Sequence, residues 1–168
     1  MRKNSIRELT VCAMLGAIYA VLTMVLPIPQ YAGVQIRLAE ALTVLPFLFP
    51  SATPGLFVGC LIANLLSPYG PVDVIFGTLA TAIAAWWTMK MPRWYLAAIP
   101  PIVANLIILP PMWAWAEIGA INNAFWAACG FNALTFVVGQ TIVCYGLGTI
   151  LLRALPKIDS LKPMIHKR

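Results

Sequence analysis

From Ile118 to Leu152 the chain runs 35 residues without a charge, and four more charge-free runs precede it: 9–33, 41–67, 74–89 and 94–116. A water-exposed helix needs a polar face, and runs this long and apolar have none to offer. About 20 apolar residues cover the roughly 30 Å of hydrocarbon in a bilayer. Composition agrees: only 10% of the residues are charged and 61% are hydrophobic, whereas soluble domains carry about 25% charged residues. The chain therefore reads as an all-α integral membrane protein.

Six transmembrane helices are expected within a single membrane domain over 1–168: about 8–27, 38–50, 54–67, 72–89, 94–116 and 124–154, followed by a basic tail, 155–168. The first shows no small-residue cleavage site, so it reads as a structural helix and not a signal peptide. With the N-terminus in the cytoplasm, Arg2, Lys3, Arg7, Lys90, Arg93, Arg153, Lys157, Lys162, Lys167 and Arg168 fall inside. These are ten of the eleven basic residues, and only Arg37 is left outside. The positive-inside rule then gives an N-in, C-in topology and accounts for the net charge of +6 without nucleic acid. Pro46, Pro50 and Pro54 divide 38–67 into two short pieces, readable as tilted spans or as a re-entrant hairpin. Either choice leaves the orientation unchanged. Pro100-Pro101 and Pro110-Pro111 predict two kinks in 94–116, with Asn105 between them and a cavity alongside.

Catalytic signatures are missing. No GxxxxGK[ST] loop, HExxH or GxSxG occurs, so active transport by this chain needs an outside energy source. Cys12, Cys60, Cys129 and Cys144 lie in apolar runs and read as small hydrophobes. His166 is the one histidine, so no His-based metal site and no cofactor are expected. Polar groups are concentrated elsewhere. Glu40, Asp73 and Glu117 all fall at the outer ends of segments, with Arg37, Trp113, Trp126 and Tyr69 at that level. Interfacial aromatic belts are common, but ionisable groups at membrane depth are costly and default to functional candidates. Three carboxylates against one arginine suit a cationic or donor-rich ligand. Asn64, Asn105, Asn132 and Gln140 add hydrogen-bonding groups within spans. In "CAMLGAIYA", 12–20, small residues align four apart as Ala13/Ala17 and Gly16/Ala20, a groove for a close helix neighbour. By pattern alone that groove favours packing within the chain.

Three elements carry a resemblance. R-x-x-E-A-L-x-x-L-P at 37–46, G-L-F-x-G-C-x-x-A-N at 55–64 and D-x-x-F-G-T-L-A-T at 73–81 make the chain closely similar to the queuosine-precursor transporter (QueT) family over about 8–152. Its members are substrate-binding S-components of energy-coupling factor (ECF) importers. The resemblance implies an S-component-like bundle of six helices with both termini cytoplasmic, in the cell membrane of a prokaryote. It also implies an outward-facing pocket closed by the loops after helices one and three. Partners would be a transmembrane coupling subunit, docked on an A-x-x-x-A motif that Ala13 and Ala17 fit, and two ATPase subunits. The implied ligand is a queuosine precursor such as 7-aminomethyl-7-deazaguanine.

Such a ring offers N1–H and an exocyclic amine side by side, which a carboxylate accepts bidentately. Glu40 is the candidate for that edge, and Glu117 or Asp73 for the ammonium. Arg37, Asn105, Asn132 and Gln140 are candidate edge readers, Trp113 or Trp126 candidate stacking walls, and Asn64 a motif position. An S-component for another flat vitamin, thiamine or riboflavin, is the alternative reading. A small membrane enzyme acting on a lipid is a further one, which the missing metal and nucleophile signatures disfavour.

Overall fold

The structure, a computed structural model, describes residues 3–25 and 36–165. The loop after the first helix, expected to close the pocket, falls in 26–35 and lies outside the described residues. So do Arg2, His166, Lys167 and Arg168.

Every regular element is helical among the described residues. Helix α1, Lys3–Val25, has 23 residues, about 34 Å at 1.5 Å per residue. A ten-residue 3-10 helix, Leu38–Phe47, follows, with Pro46 inside it. Helix α2, Ala52–Asn64, is also short at 13 residues. Helix α3, Pro71–Thr88, starts sharply because Gly70 holds φ 60 and Pro71 takes the first helical position, where no N–H is missed. A 3-10 turn, Trp94–Leu96, leads into α4, Ile99–Ile118, which Gly119 ends in the left-handed conformation at φ 71. Helix α5, Asn123–Thr141, begins where the Asn122 side chain accepts the Phe125 N–H at 3.0 Å. It continues through a π-helical turn, Ile142–Leu147, into α6, Gly148–Ala154.

Among the described residues, six helical segments thus match the expected six in number and order, and four are long and apolar enough to cross a membrane. Leu38–Phe47 and Ala52–Asn64 are too short for that by length alone. The 3-10 segment packs against α1, α3, α6 and the π turn, and almost all of it is buried. It is a central plug carrying Glu40. One expectation is corrected. Pro100 and Pro101 do not kink a helix; they sit in the first turn of α4, where their missing N–H groups cost nothing. Only Pro110 and Pro111 are interior.

Polarity is inverted relative to a soluble protein. Val25, Leu65, Ile107, Leu134 and Ile150 are exposed, while Arg37, Glu40, Asn64, Asp73, Asn105, Asn132 and Gln140 are buried. That is the arrangement lipid imposes: apolar side chains outward, polar groups satisfied within. The two rows of small residues separate. Gly16 meets Gly55 and Gly59 of α2 so closely that a Cβ on Gly55 would lie 2.0 Å from the Cys12 carbonyl oxygen. Ala13 and Ala17, by contrast, are exposed on another face of α1.

Described basic groups collect at one end. Arg153 lies over the Trp94 ring at 4.5 Å, Lys90 over Trp86 at 3.4 Å, and Arg93 donates to the Tyr95 hydroxyl at 2.6 Å. Arg7, at the start of α1, lines a pocket there with Asp159 and Ser160. Arg37 stands apart, beside the start of α3.

Candidate functional site

Arg37 and Glu40, three residues apart, part company. Arg37 precedes the 3-10 segment in extended backbone, and Glu40 occupies its first turn. The two side chains meet different partners, in groups that are linked through Cys60, whose Sγ lies 3.7 Å from the Tyr19 hydroxyl and 3.3 Å from Asn64 Nδ2.

Glu40 is 1% exposed and accepts three hydrogen bonds from three helices. Tyr19 of α1 donates to Oε1 at 2.7 Å; Asn105 of α4 and Gln140 of α5 each donate to Oε2 at 3.2 Å. Three donors aimed at two oxygens form the set an acceptor-only carboxylate satisfies. The Glu40 carbonyl oxygen is held as well, by Thr43 at 2.6 Å and the Cys144 thiol at 3.5 Å. Asn105 stands six residues after Ile99, the basic end of α4, so Glu40 lies deeper than the outer mouth expected for it. The 3-10 segment carries it inward.

Arg37 instead meets Asp73 at 3.4 Å, both buried, and its guanidinium lies 5.9 Å from the centroid of Trp113. Trp113 is fully buried and sits edge-on to Phe136 at 5.6 Å. Asn132, one turn before Phe136 on α5, is also buried. Asn64 ties α2 to α3 by donating to the Asp73 carbonyl at 3.1 Å. Gly77 makes room for this link: a Cβ there would lie 2.7 Å from Asn64 Nδ2. Several buried atoms find no hydrogen-bond partner among the described residues: Asp73 Oδ1, Asn64 Oδ1, Asn105 Oδ1, Trp113 Nε1 and Asn132 Nδ2. Unmade hydrogen bonds at buried groups are costly, and a cluster of them marks a place where binding is rewarded.

Two candidates sit further out. Glu117 is exposed and accepts from Tyr69 at 3.2 Å. Burial, then the Glu117 charge, push the Tyr69 phenol up to about 12, so it stays a donor. Trp126 is not brought to either cluster. It is 64% exposed and packs edge-on against Phe125 at 5.0 Å. Neighbours on a helix point about 100° apart, and the Asn122 cap turns Phe125 inward and Trp126 out.

Tyr19 was missed from sequence. Its signal was available: a tyrosine inside a long apolar run, below the level where interfacial aromatic residues belong.

Against known proteins, the model of the family described as "QueT transporter" matches residues 9–157. The chain is similar to a protein named "Queuosine precursor transporter QueT" from Lactococcus lactis subsp. cremoris (strain MG1363), 33% identical over 85 residues. That alignment covers 49% of this chain and 50% of the relative, about half the length of each. No solved structure matches the chain. A helical membrane bundle with a buried polar interior, matched along nearly all of its length, belongs to the QueT transporter family.

Proposed function

We propose that this chain is the substrate-binding S-component of an ECF-type importer and captures a queuosine precursor resembling 7-aminomethyl-7-deazaguanine at the outer face. The observation that carries the reading is Glu40: a buried carboxylate held by neutral donors from three helices. Such a group meets a ligand rich in N–H donors. Asp73, one of whose oxygens is unpartnered among the described residues, takes the ligand's ammonium, with Glu117 at the rim as first contact. Trp113 forms the flat wall, and Arg37, Asn132, Asn105 and Gln140 read the ring's edges. The name of the Lactococcus relative supports the ligand class.

Both termini are cytoplasmic on this reading, supported by the basic groups gathered at one end of the bundle. The energy comes from a separate module, a transmembrane coupling subunit and two ATPases, in the cell membrane of a prokaryote. Ala13 and Ala17, exposed on α1, form the docking stripe. Uptake of labelled deazaguanine should require both this chain and an intact energising module when they are co-expressed in a host lacking its own transporter. Uptake that persists after the ATPases are inactivated would contradict the S-component assignment.

A further inference from the structure

Glu40 is not symmetrically occupied. Among the described residues, Oε2 takes both amides, from Asn105 and Gln140 at 3.2 Å each, whereas Oε1 takes only the Tyr19 hydroxyl at 2.7 Å. A carboxylate oxygen accepts about two hydrogen bonds. Oε2 is therefore saturated, and the open acceptor position lies on Oε1. A ligand cannot engage both oxygens of Glu40 while both amides hold Oε2.

Tyr19 supplies the missing second acceptor. Its ring is 1% exposed, and its single proton is committed to Glu40, the shorter of its two contacts; Cys60 Sγ is 3.7 Å away. A hydroxyl that donates still has lone pairs to accept with. Tyr19 Oη and Glu40 Oε1 are thus two adjacent acceptors, contributed by α1 and the 3-10 segment. A guanine-type edge presents two adjacent N–H donors, the ring N1–H and the exocyclic amine.

We propose that Tyr19 is a specificity-determining residue: Glu40 Oε1 and Tyr19 Oη together accept the paired N–H donors of a guanine-type edge. This rests on the deazaguanine reading above. It replaces the bidentate grip by one carboxylate with a shared grip by two residues. Tyr19 then distinguishes rings that carry the exocyclic amine from rings that lack it. A site built to bond a polar group discriminates strongly against the analogue without it.

The test is a calorimetric titration of the purified full-length protein. The ligands are 7-aminomethyl-7-deazaguanine and its counterpart lacking the exocyclic amine. The unmodified protein should prefer the amine-bearing ring by at least about tenfold. In Tyr19→Phe, with a melting temperature close to the parent's, that preference should collapse toward one. Incorporating 3-fluorotyrosine at position 19, which keeps the ring but weakens the acceptor, should lower the preference in the same direction. A preference retained in Tyr19→Phe would overturn the proposal even if both affinities fell together, because that is the mark of a merely structural tyrosine. Equal binding of both rings by the unmodified protein would overturn it too. Binding of neither ring would instead sink the deazaguanine reading itself, and this inference with it.

Discussion

Replacing Glu40 with glutamine should weaken ligand binding by on the order of 2–5 kcal/mol, a roughly thirty- to several-thousand-fold rise in Kd. The size follows from where the carboxylate sits. Tyr19, Asn105 and Gln140 all donate to it, and a glutamine amide can accept at only one of its two ends. Its NH2 must then face one of these donors, so the variant loses the ligand's partner and disturbs the neighbours that orient it. Glu117→Gln is the matched control. Glu117 is exposed and accepts from the neutral Tyr69 hydroxyl at 3.2 Å, and its loss should cost well under 1 kcal/mol. Calorimetry on both variants, with melting temperatures recorded alongside, makes the comparison. An unchanged Kd for Glu40→Gln would return Glu40 to a purely structural role.

The second large effect concerns assembly. Changing Ala13 and Ala17 together to tryptophan should abolish co-purification with the coupling subunit while leaving ligand affinity within about twofold, because bulk at a small-residue interface prevents close helix approach. Both residues are exposed on α1, whereas Gly16, on the buried row, is committed to α2. The fold therefore tolerates the added volume at Ala13 and Ala17 and would not tolerate it at Gly16. Retention of the intact complex by the double variant would remove this stripe as the docking site.

Much of the architecture was legible because a bilayer leaves a chain few options. Charge-free runs located the long helices to within a few residues: α3 was expected at 72–89 and observed at Pro71–Thr88. Polar residues chosen from charge, depth and motif position do come together, Glu40 with Asn105 and Gln140, and Arg37 with Asp73 and Trp113. What stayed hidden depends on backbone geometry and on distant partners. Hydropathy does not distinguish the 3-10 form of Leu38–Phe47 from an α-helix, and the buried 3-10 segment holds Glu40 against donors from three helices. Pro100-Pro101 read as a kink because the helix start at Ile99 carries no cap signal of its own. Tyr19 lies 21 residues from Glu40 in sequence, and only tertiary packing brings them together. Trp126 was chosen for its level, and level says nothing about which side of the helix faces in.

The central claim, that the buried polar interior captures a deazaguanine, is tested most directly by titrating the purified protein with 7-aminomethyl-7-deazaguanine, guanine and thiamine in parallel. Tight binding of the deazaguanine, weaker binding of guanine for want of the ammonium that Asp73 would hold, and no measurable thiamine binding is the predicted result. Tight binding of thiamine with none of the deazaguanine would contradict it.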